Sequence, residues 1–405
     1  MDHRASRTGL FILGLCFVLS LLGRGLGESF TVFLLPISAS FGWDRAEVVS
    51  IYSLTALCTG LASPLVGRLF DRSGPRVVYT LGMTLLGGAL LIAAYAERLW
   101  QLQISVGLCV GLGIAFTGNV PNSILLGRWF GARLPTAMAV VYSAIGAGVL
   151  VMLPIAQVLI ERYGWREAYL ILGGAMLILL LPLSLLPWRR FAAGADAHAQ
   201  RPVHDADDDG WTLGSAMRHH AFWALFATFF FTAIGMYSIS AQVVAYLVDA
   251  GFTPLQAATA WGFSGVVLVV GMLGVSWLDG VIGRRPSILF SYAISITGLV
   301  LLWLLQWYPN LLLLGGFVIC FGSMIGSRGP LITATAMSIF RGKRVGTIYG
   351  TISIGSGLGS AFGSWCGGLL HDLTQSYNPV LGFALVSVVL GMIPFLVVPA
   401  LRERQ

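Results

Sequence analysis

The chain has 405 residues, 57% of them hydrophobic and only 10% charged, where soluble domains carry about 25% charged residues. With a mean hydropathy of +0.83 it has too little polar surface for a soluble fold and reads as an integral membrane protein. A net charge of +7 would point to nucleic acid in a soluble protein; here basic loops at the cytoplasmic surface account for it, and no nucleic-acid partner is expected.

Windows of about 19 residues find twelve apolar segments, at 9–37, 46–67, 76–96, 101–127, 136–160, 167–187, 221–249, 256–278, 286–306, 311–338, 345–370 and 380–400. All are expected to be helices, because lipid leaves the backbone no other partner. MDHRASR followed by an apolar run imitates a secretory signal, but the run is too long and eleven more follow, so it is read as a retained span. Lys and Arg fall mainly in alternate connections, such as Arg68, Arg72 and Arg76, Arg128 and Arg133, Arg284 and Arg285, and Arg341, Lys343 and Arg344. The other connections hold only Arg45, Arg98, Arg162 and Arg166. Both termini are therefore expected in the cytoplasm.

The first segment carries Arg24 and Glu28 near its middle. A hydrocarbon core is roughly 30 Å thick, and a charge at its centre costs from about 2.5 to about 17 kcal/mol. Such residues are kept where they face a cavity or a partner. In the fourth segment, Asn119-Val-Pro-Asn122 is expected to break the helix at Pro121, which removes a backbone donor. Residues 188–219 form the one long connection and read as a solvated linker. Within it Asp205-x-Asp207-x-Asp209-Gly210 starts like a calcium loop, but Ala216 stands where the bidentate Glu belongs. The seventh segment holds Tyr237 and Gln242, the eighth no charge, and the tenth Ser327 and Arg328, the latter within a turn of its midpoint. Gly355-x-Gly357-x-Gly359 and Gly111-x-Gly113 imitate nucleotide fingerprints but lie inside apolar segments, where they serve helix packing. Cys16, Cys58, Cys109, Cys320 and Cys366 show no metal spacing and read as small buried hydrophobes. No metal, cofactor or catalytic residue is expected, and no phosphate-binding loop for ATP.

The two halves repeat. GRWFGARLPTAMAVVYSAIGAG (127–148) parallels SIFRGKRVGTIYGTISIGSG (338–357), and GRLFDRSGPR (67–76) parallels DGVIGRR (279–285). Repeats of this kind mark a duplicated transporter architecture. Gly67-x-x-x-Asp71-Arg72-x-Gly74-x-Arg76 resembles the loop signature of the major facilitator superfamily, and Asp279-x-x-x-Gly283-Arg284-Arg285 its weaker copy. A narrower resemblance is to the bacterial monocarboxylate-transporter and oxalate/formate-antiporter branch. It rests on Gly25-Leu26-Gly27-Glu28-Ser29-Phe30, on Phe41-Gly42-Trp43-Asp44-Arg45-Ala46-Glu47 and on Tyr163-Gly164-Trp165-Arg166. That branch carries an arginine on helix eight; this chain has none there, and Arg328 stands on helix ten instead.

The resemblance implies an all-α membrane protein of twelve helices in two six-helix bundles, 1–187 and 220–405, joined by a cytoplasmic linker at 188–219. It implies helices one, four, seven and ten around a central cavity, cytoplasmic gating by Gly67, Asp71, Arg72, Gly74, Arg76, Asp279, Arg284 and Arg285, and action as a monomer. The intramembrane polar residues fall on those four helices, and segments three, six, nine and twelve carry almost none at mid-depth. Arg24 and Arg328 would suit an anion, since guanidinium matches carboxylate; the competing reading is an Arg24–Glu28 ion pair. Glu28 suits reversible proton coupling or, alternatively, a permanent salt bridge. Asn119, Asn122, Tyr237 and Gln242 complete the candidate substrate contacts, the asparagines serving equally well to satisfy a kinked backbone. The expectation is a bacterial inner-membrane secondary transporter for a small organic anion, a monocarboxylate, coupled to protons. Anion exchange, drug or metabolite export and a non-transporting sensor are the alternatives.

Overall fold

The computed structural model describes residues 3–130, 134–193, 211–340, 345–398 and 401. Every regular element among them is helical, with no strand. In chain order these are α1 (His3–Phe41), α2 (Arg45–Ala93), α3 (Leu99–Leu102), a π-helical stretch (Gln103–Val110), α4 (Gly111–Thr117), α5 (Asn119–Phe130), α6 (Leu134–Tyr163), α7 (Trp165–Leu185) and α8 (Trp188–Ala193). Then follow α9 (Leu213–Arg218), α10 (His220–Ser240), α11 (Val243–Asp249), α12 (Pro254–Ile282), α13 (Arg284–Leu304), α14 (Leu311–Phe317), a second π-helical stretch (Val318–Gly322), α15 (Gly329–Ile339), α16 (Val345–Thr374) and α17 (Asn378–Val397). Among the described residues, nine helices are long and apolar enough to cross a membrane, and Leu311–Gly322 is a shorter apolar helix. The expected segments 46–67 and 345–370 are helical within α2 and α16. The chain forms two compact units. Unit 1 is Met1–Arg201 with Pro254–Gly265, and unit 2 is Pro202–Thr253 with Val266–Gln405.

The repeated loop motif has one conformation in both halves. Gly74 interrupts α2 at φ +77°, ψ 175°, and Gly283 separates α12 from α13 at φ +86°, ψ 166°. L-residues avoid this region, so each motif places its glycine where the chain must turn. Of the run in α16, Gly355 and Gly359 pack against α10 as expected, while Gly357 has open space beside it. A methyl added to Gly359 would collide with the Phe230 carbonyl of α10, and one on Gly355 would lie 2.8 Å from the Phe226 carbonyl.

The two aromatic stretches behind the narrower resemblance meet in unit 1. Phe41 stacks on Trp43 at 4.1 Å, and Trp165 approaches Phe41 at 5.9 Å. Trp165 Nε1 donates to Ser40 Oγ, and Arg166 lies over the Trp165 ring at 4.6 Å while donating to the Ala94 carbonyl. These residues tie the ends of α1, α2 and α7 together and act in packing.

Several expectations change. Pro121 does not break the fourth segment. The break is at Gly118 (φ −93°, ψ −149°), between α4 and α5. Pro121 lies in the first turn of α5, where its missing N–H has no intrahelical acceptor to lose. The seventh segment is interrupted between α10 and α11, and the tenth between Gly322 and Gly329, where Gly326 has φ +81°. The first residues of the expected linker are helical and packed: Trp188 and Phe191 are buried, and Trp188 stacks on Tyr79 at 5.5 Å. His198, His204 and the Asp205–Gly210 run lie outside the described residues. Of the cysteines only Cys16 is buried; the other four are half-buried.

Candidate functional site

In unit 1 the site is built from the glycines that flank Arg24. A methyl on Gly25 would lie 2.8 Å from the Gly148 carbonyl of α6, and one on Gly23 would collide with the Thr117 hydroxyl of α4. Small residues let helix backbones approach closely in lipid. Here they seat α1 against both α4 and α6 and bring Arg24 to the edge of a cleft of about 160 Å³. Its walls are Arg24, Thr59, Ile114, Ala115, Gly118, Asn119, Val120 and Ile145. Pockets for drug-sized ligands begin near roughly 300 Å³, so this cleft suits a smaller molecule.

The cleft lies at the helix break. Gly118 forms part of its wall, and α5 starts there with Asn119, whose side chain is exposed. A helix N-terminus carries partial positive charge, which adds to the guanidinium of Arg24. Four residues along α1, Glu28 places Oε1 3.7 Å from Arg24 Nη2. That is an ion pair, longer than the roughly 2.7–2.9 Å of a charge-assisted hydrogen bond. The other oxygen, Oε2, accepts a 2.8 Å hydrogen bond from Tyr52 of α2, whose buried ring stacks on Phe30 at 6.0 Å. The Arg24 and Glu28 side chains are 31% and 18% exposed, so neither is sealed within the helix packing.

Asn122 is elsewhere. It is 0% exposed, and its amide is used by the protein. Nδ2 donates to Ser20 Oγ of α1 at 2.7 Å and to the Thr117 carbonyl at 3.3 Å, and Oδ1 accepts from Tyr79 at 2.8 Å. Tyr79 also lies 3.9 Å from Cys16 Sγ. Asn122 therefore clamps the broken helix to α1 and α2, the backbone-satisfying role weighed above for the asparagines, and does not line the cleft.

In unit 2 Arg328 ends the helix break as the residue before α15. It is 2% exposed and folded against α13. Nε donates to Ser291 Oγ at 2.9 Å, and Nη2 donates to the Ser291 carbonyl at 3.0 Å and to Ser295 Oγ. The guanidinium lies over the Tyr292 ring at 4.1 Å. Nη1 is buried with no hydrogen-bond partner among the described residues. Segment nine, expected to carry almost no polar group at mid-depth, thus supplies the cradle through Ser291 and Ser295, which with Ser287 recur every fourth residue and are all 0% exposed. That i, i+4 serine stripe was the missed sequence signal.

Gln242, just before α11, is 1% exposed. Its Nε2 donates to the Ser238 carbonyl at 3.1 Å, and Oε1 is buried without a partner among the described residues. Tyr237 is half-buried on α10. Around the repeated motif, Arg72 and Arg76 are exposed, the Asp71 side chain lies outside the described residues, and Gly67 is half-buried. In the second copy Asp279 pairs with Arg284 at 3.7 Å, and Arg285 donates to the Phe395 carbonyl at 3.1 Å.

Comparison with known proteins agrees with this architecture. The sequence profile of the Major Facilitator Superfamily matches residues 13–364. The chain is 26% identical to the MFS-type transporter YcxA of Bacillus subtilis, over 95% of each protein. It is 26% identical to monocarboxylate transporter 12 of Rattus norvegicus, over 95% of this chain and 85% of that one. It is 27% identical to monocarboxylate transporter 13 of Bos taurus, over 91% and 84%. An all-helical fold rich in membrane-length spans, a duplicated loop motif and a profile match along most of its length lead to one conclusion: the chain belongs to the Major Facilitator Superfamily and is a multi-pass membrane transporter.

Proposed function

We propose that this protein is a secondary transporter that carries a small organic anion, a monocarboxylate, by alternating access and in symport with protons. Arg24 carries the reading. It is a cation at the wall of a small cleft in an apolar bundle, beside a helix N-terminus and a carboxylate four residues away. Arg24 and Asn119 would hold the carboxylate of the substrate, with Arg328 as the second cationic contact and Tyr237 and Gln242 as polar contacts from unit 2. Glu28 would exchange the proton, its oxygens held by Arg24 and Tyr52. The names of the relatives support the substrate class. The motif arginines and Asp71 would gate the cytoplasmic side. Twelve spans in bundles 1–187 and 220–405, a bacterial inner-membrane location, cytoplasmic termini and a monomeric state complete the proposal.

Anion exchange is the second reading. The ion pair and the tyrosine hydrogen bond both satisfy Glu28 as a permanent carboxylate. Uptake of labelled lactate, pyruvate and propionate into proteoliposomes separates the two. Proton symport predicts accumulation driven by an imposed pH gradient in wild type and its loss in Glu28→Gln. Uptake that needs a counter-anion inside and ignores the gradient in both proteins establishes exchange.

A further inference from the structure

Arg328 is held in an unusual way for a buried cation. Among the described residues it forms no ion pair, and its partners are two serines and a ring. The ring is itself fixed, because the Tyr292 hydroxyl donates to the Gly391 carbonyl at 3.0 Å and pairs with Thr232 Oγ1 at 2.5 Å. The serine hydroxyls are fixed as well. Ser291 Oγ donates to the Ile288 carbonyl at 2.6 Å, and Ser295 Oγ donates to the Ser291 carbonyl at 3.1 Å, which leaves their lone pairs for Arg328.

This arrangement divides the guanidinium. Its face is covered by Tyr292. Nε is used by the Ser291 hydroxyl, and both hydrogens of Nη2 have acceptors in the Ser291 carbonyl and the Ser295 hydroxyl. An arginine with both edges open grips carboxylate by two parallel bonds. Here only Nη1 has no acceptor among the described residues. A buried donor without a partner is costly, and a buried cation without a counter-charge more so. Both deficits are met at the same nitrogen by one anionic oxygen.

We infer that Ser291, Ser295 and Tyr292 are positioning residues that close one edge of Arg328 and leave Nη1 alone, not a two-nitrogen fork, to receive the carboxylate of the substrate. This rests on the reading of Arg328 as an anion contact and sharpens it. Recognition at this residue is through one nitrogen, so the bidentate grip of a free guanidinium is not available here.

The test has a chemical arm and a transport arm, both on the full chain. Phenylglyoxal condenses with Nη1 and Nη2 together, so a pinned Nη2 slows it; the extent at Arg328 is read by peptide mass spectrometry. Transport is uptake of labelled lactate, pyruvate and propionate into proteoliposomes. Arg328 of wild type should resist the reagent. In Ser291→Ala/Ser295→Ala it should react about tenfold faster, and the KM of the carried acid should rise about tenfold with little change in Vmax, the size expected for lost hydrogen bonds to a charged group. Ser295→Thr, which keeps the hydroxyl, should rescue Ser295→Ala; this pair decides the matter if the double variant does not fold. A double variant with wild-type KM, while Arg328→Gln loses saturable uptake, overturns the positioning role and leaves the anion contact standing. Wild-type kinetics in Arg328→Gln, or no uptake of any of the three acids by wild type, overturns the underlying reading and the inference with it.

Discussion

The helix break at Gly118 in unit 1 and the break before Arg328 in unit 2 are built on one plan and used differently. Each follows a π-helical stretch, Gln103–Val110 in one and Val318–Gly322 in the other. Each holds a glycine in a non-helical conformation, Gly118 and Gly326, followed closely by a polar residue. A tyrosine of the preceding helix engages each, Tyr79 on Asn122 and Tyr292 on Arg328. In unit 1 the tyrosine hydroxyl meets a neutral amide that has all the partners it needs, and the neighbouring cation, Arg24, stays partly exposed at a cleft. In unit 2 the ring face covers the cation itself and seals it. A duplicated frame has thus come to hold one cation open and one closed, and the two should fail in different ways when they are changed.

The largest effect is expected at the open site. Arg24→Gln removes the cation from the cleft wall and leaves Glu28, among the described residues, with its Tyr52 bond. Uptake of the carried acid should fall roughly 100-fold in Vmax/KM, the loss that follows deletion of a charged contact, while the protein keeps its thermal unfolding temperature. Kinetics within a factor of three of wild type would break the comparison, because the open cation would then have no use.

The next effect concerns folding. Asn122→Ala deprives Ser20 and Tyr79 of a buried partner and frees the Thr117 carbonyl. Unsatisfied buried groups cost about 1–3 kcal/mol each, so the unfolding temperature in detergent should drop clearly. KM should change little in the protein that remains folded, since the amide does not line the cleft. A rise in KM with unchanged stability would return Asn122 to the substrate contacts.

How much of this was legible differs by element. The spans follow from hydropathy, because lipid forces the backbone into helices. Arg24 and Glu28 stood out because charge in an apolar run is costly. The break in the fourth segment lies one feature away from the expected one, and those in the seventh and tenth segments have no expectation behind them. Pro121 is the louder signal, but proline is tolerated in a first turn, and the backbone departs from the helix at Gly118. The cradle of Arg328 left only a faint trace in the sequence, the stripe of Ser287, Ser291 and Ser295. Serine is unremarkable inside a membrane helix, and Ser291 and Ser295 acquire meaning only when a residue of another helix folds onto them. Hydropathy records what a residue costs in lipid; it is silent on which helix will receive it.

A smaller prediction tests whether the repeat is physical. Gly74→Ala and Gly283→Ala force a side chain into the same positive-φ conformation, +77° in one copy and +86° in the other. Each should lower stability by about 1–3 kcal/mol, and by similar amounts. A large effect in one copy and none in the other, read from chemical or thermal unfolding of both variants, would show that the two turns are alike only in shape.

The smallest change in stability is expected at the sealed cation. Arg328→Met replaces a sealed cation with an apolar chain of similar length. The guanidinium has no ion pair among the described residues, and one of its nitrogens is unpaired, so its desolvation is poorly compensated, and replacing such buried charge by apolar groups is often neutral or stabilising. The partners left behind are not stranded. Ser291 and Ser295 still donate to backbone carbonyls, and Tyr292 still holds Gly391 and Thr232. The unfolding temperature should therefore stay within about 2 °C of wild type, under about 2 kcal/mol in a chain of this size, or rise, although saturable uptake is lost. Stability kept without transport marks a residue retained for its ligand. A fall of several degrees would instead make Arg328 a structural strut between α15 and α13, and the contrast between the open and the closed cation would then be one of packing alone.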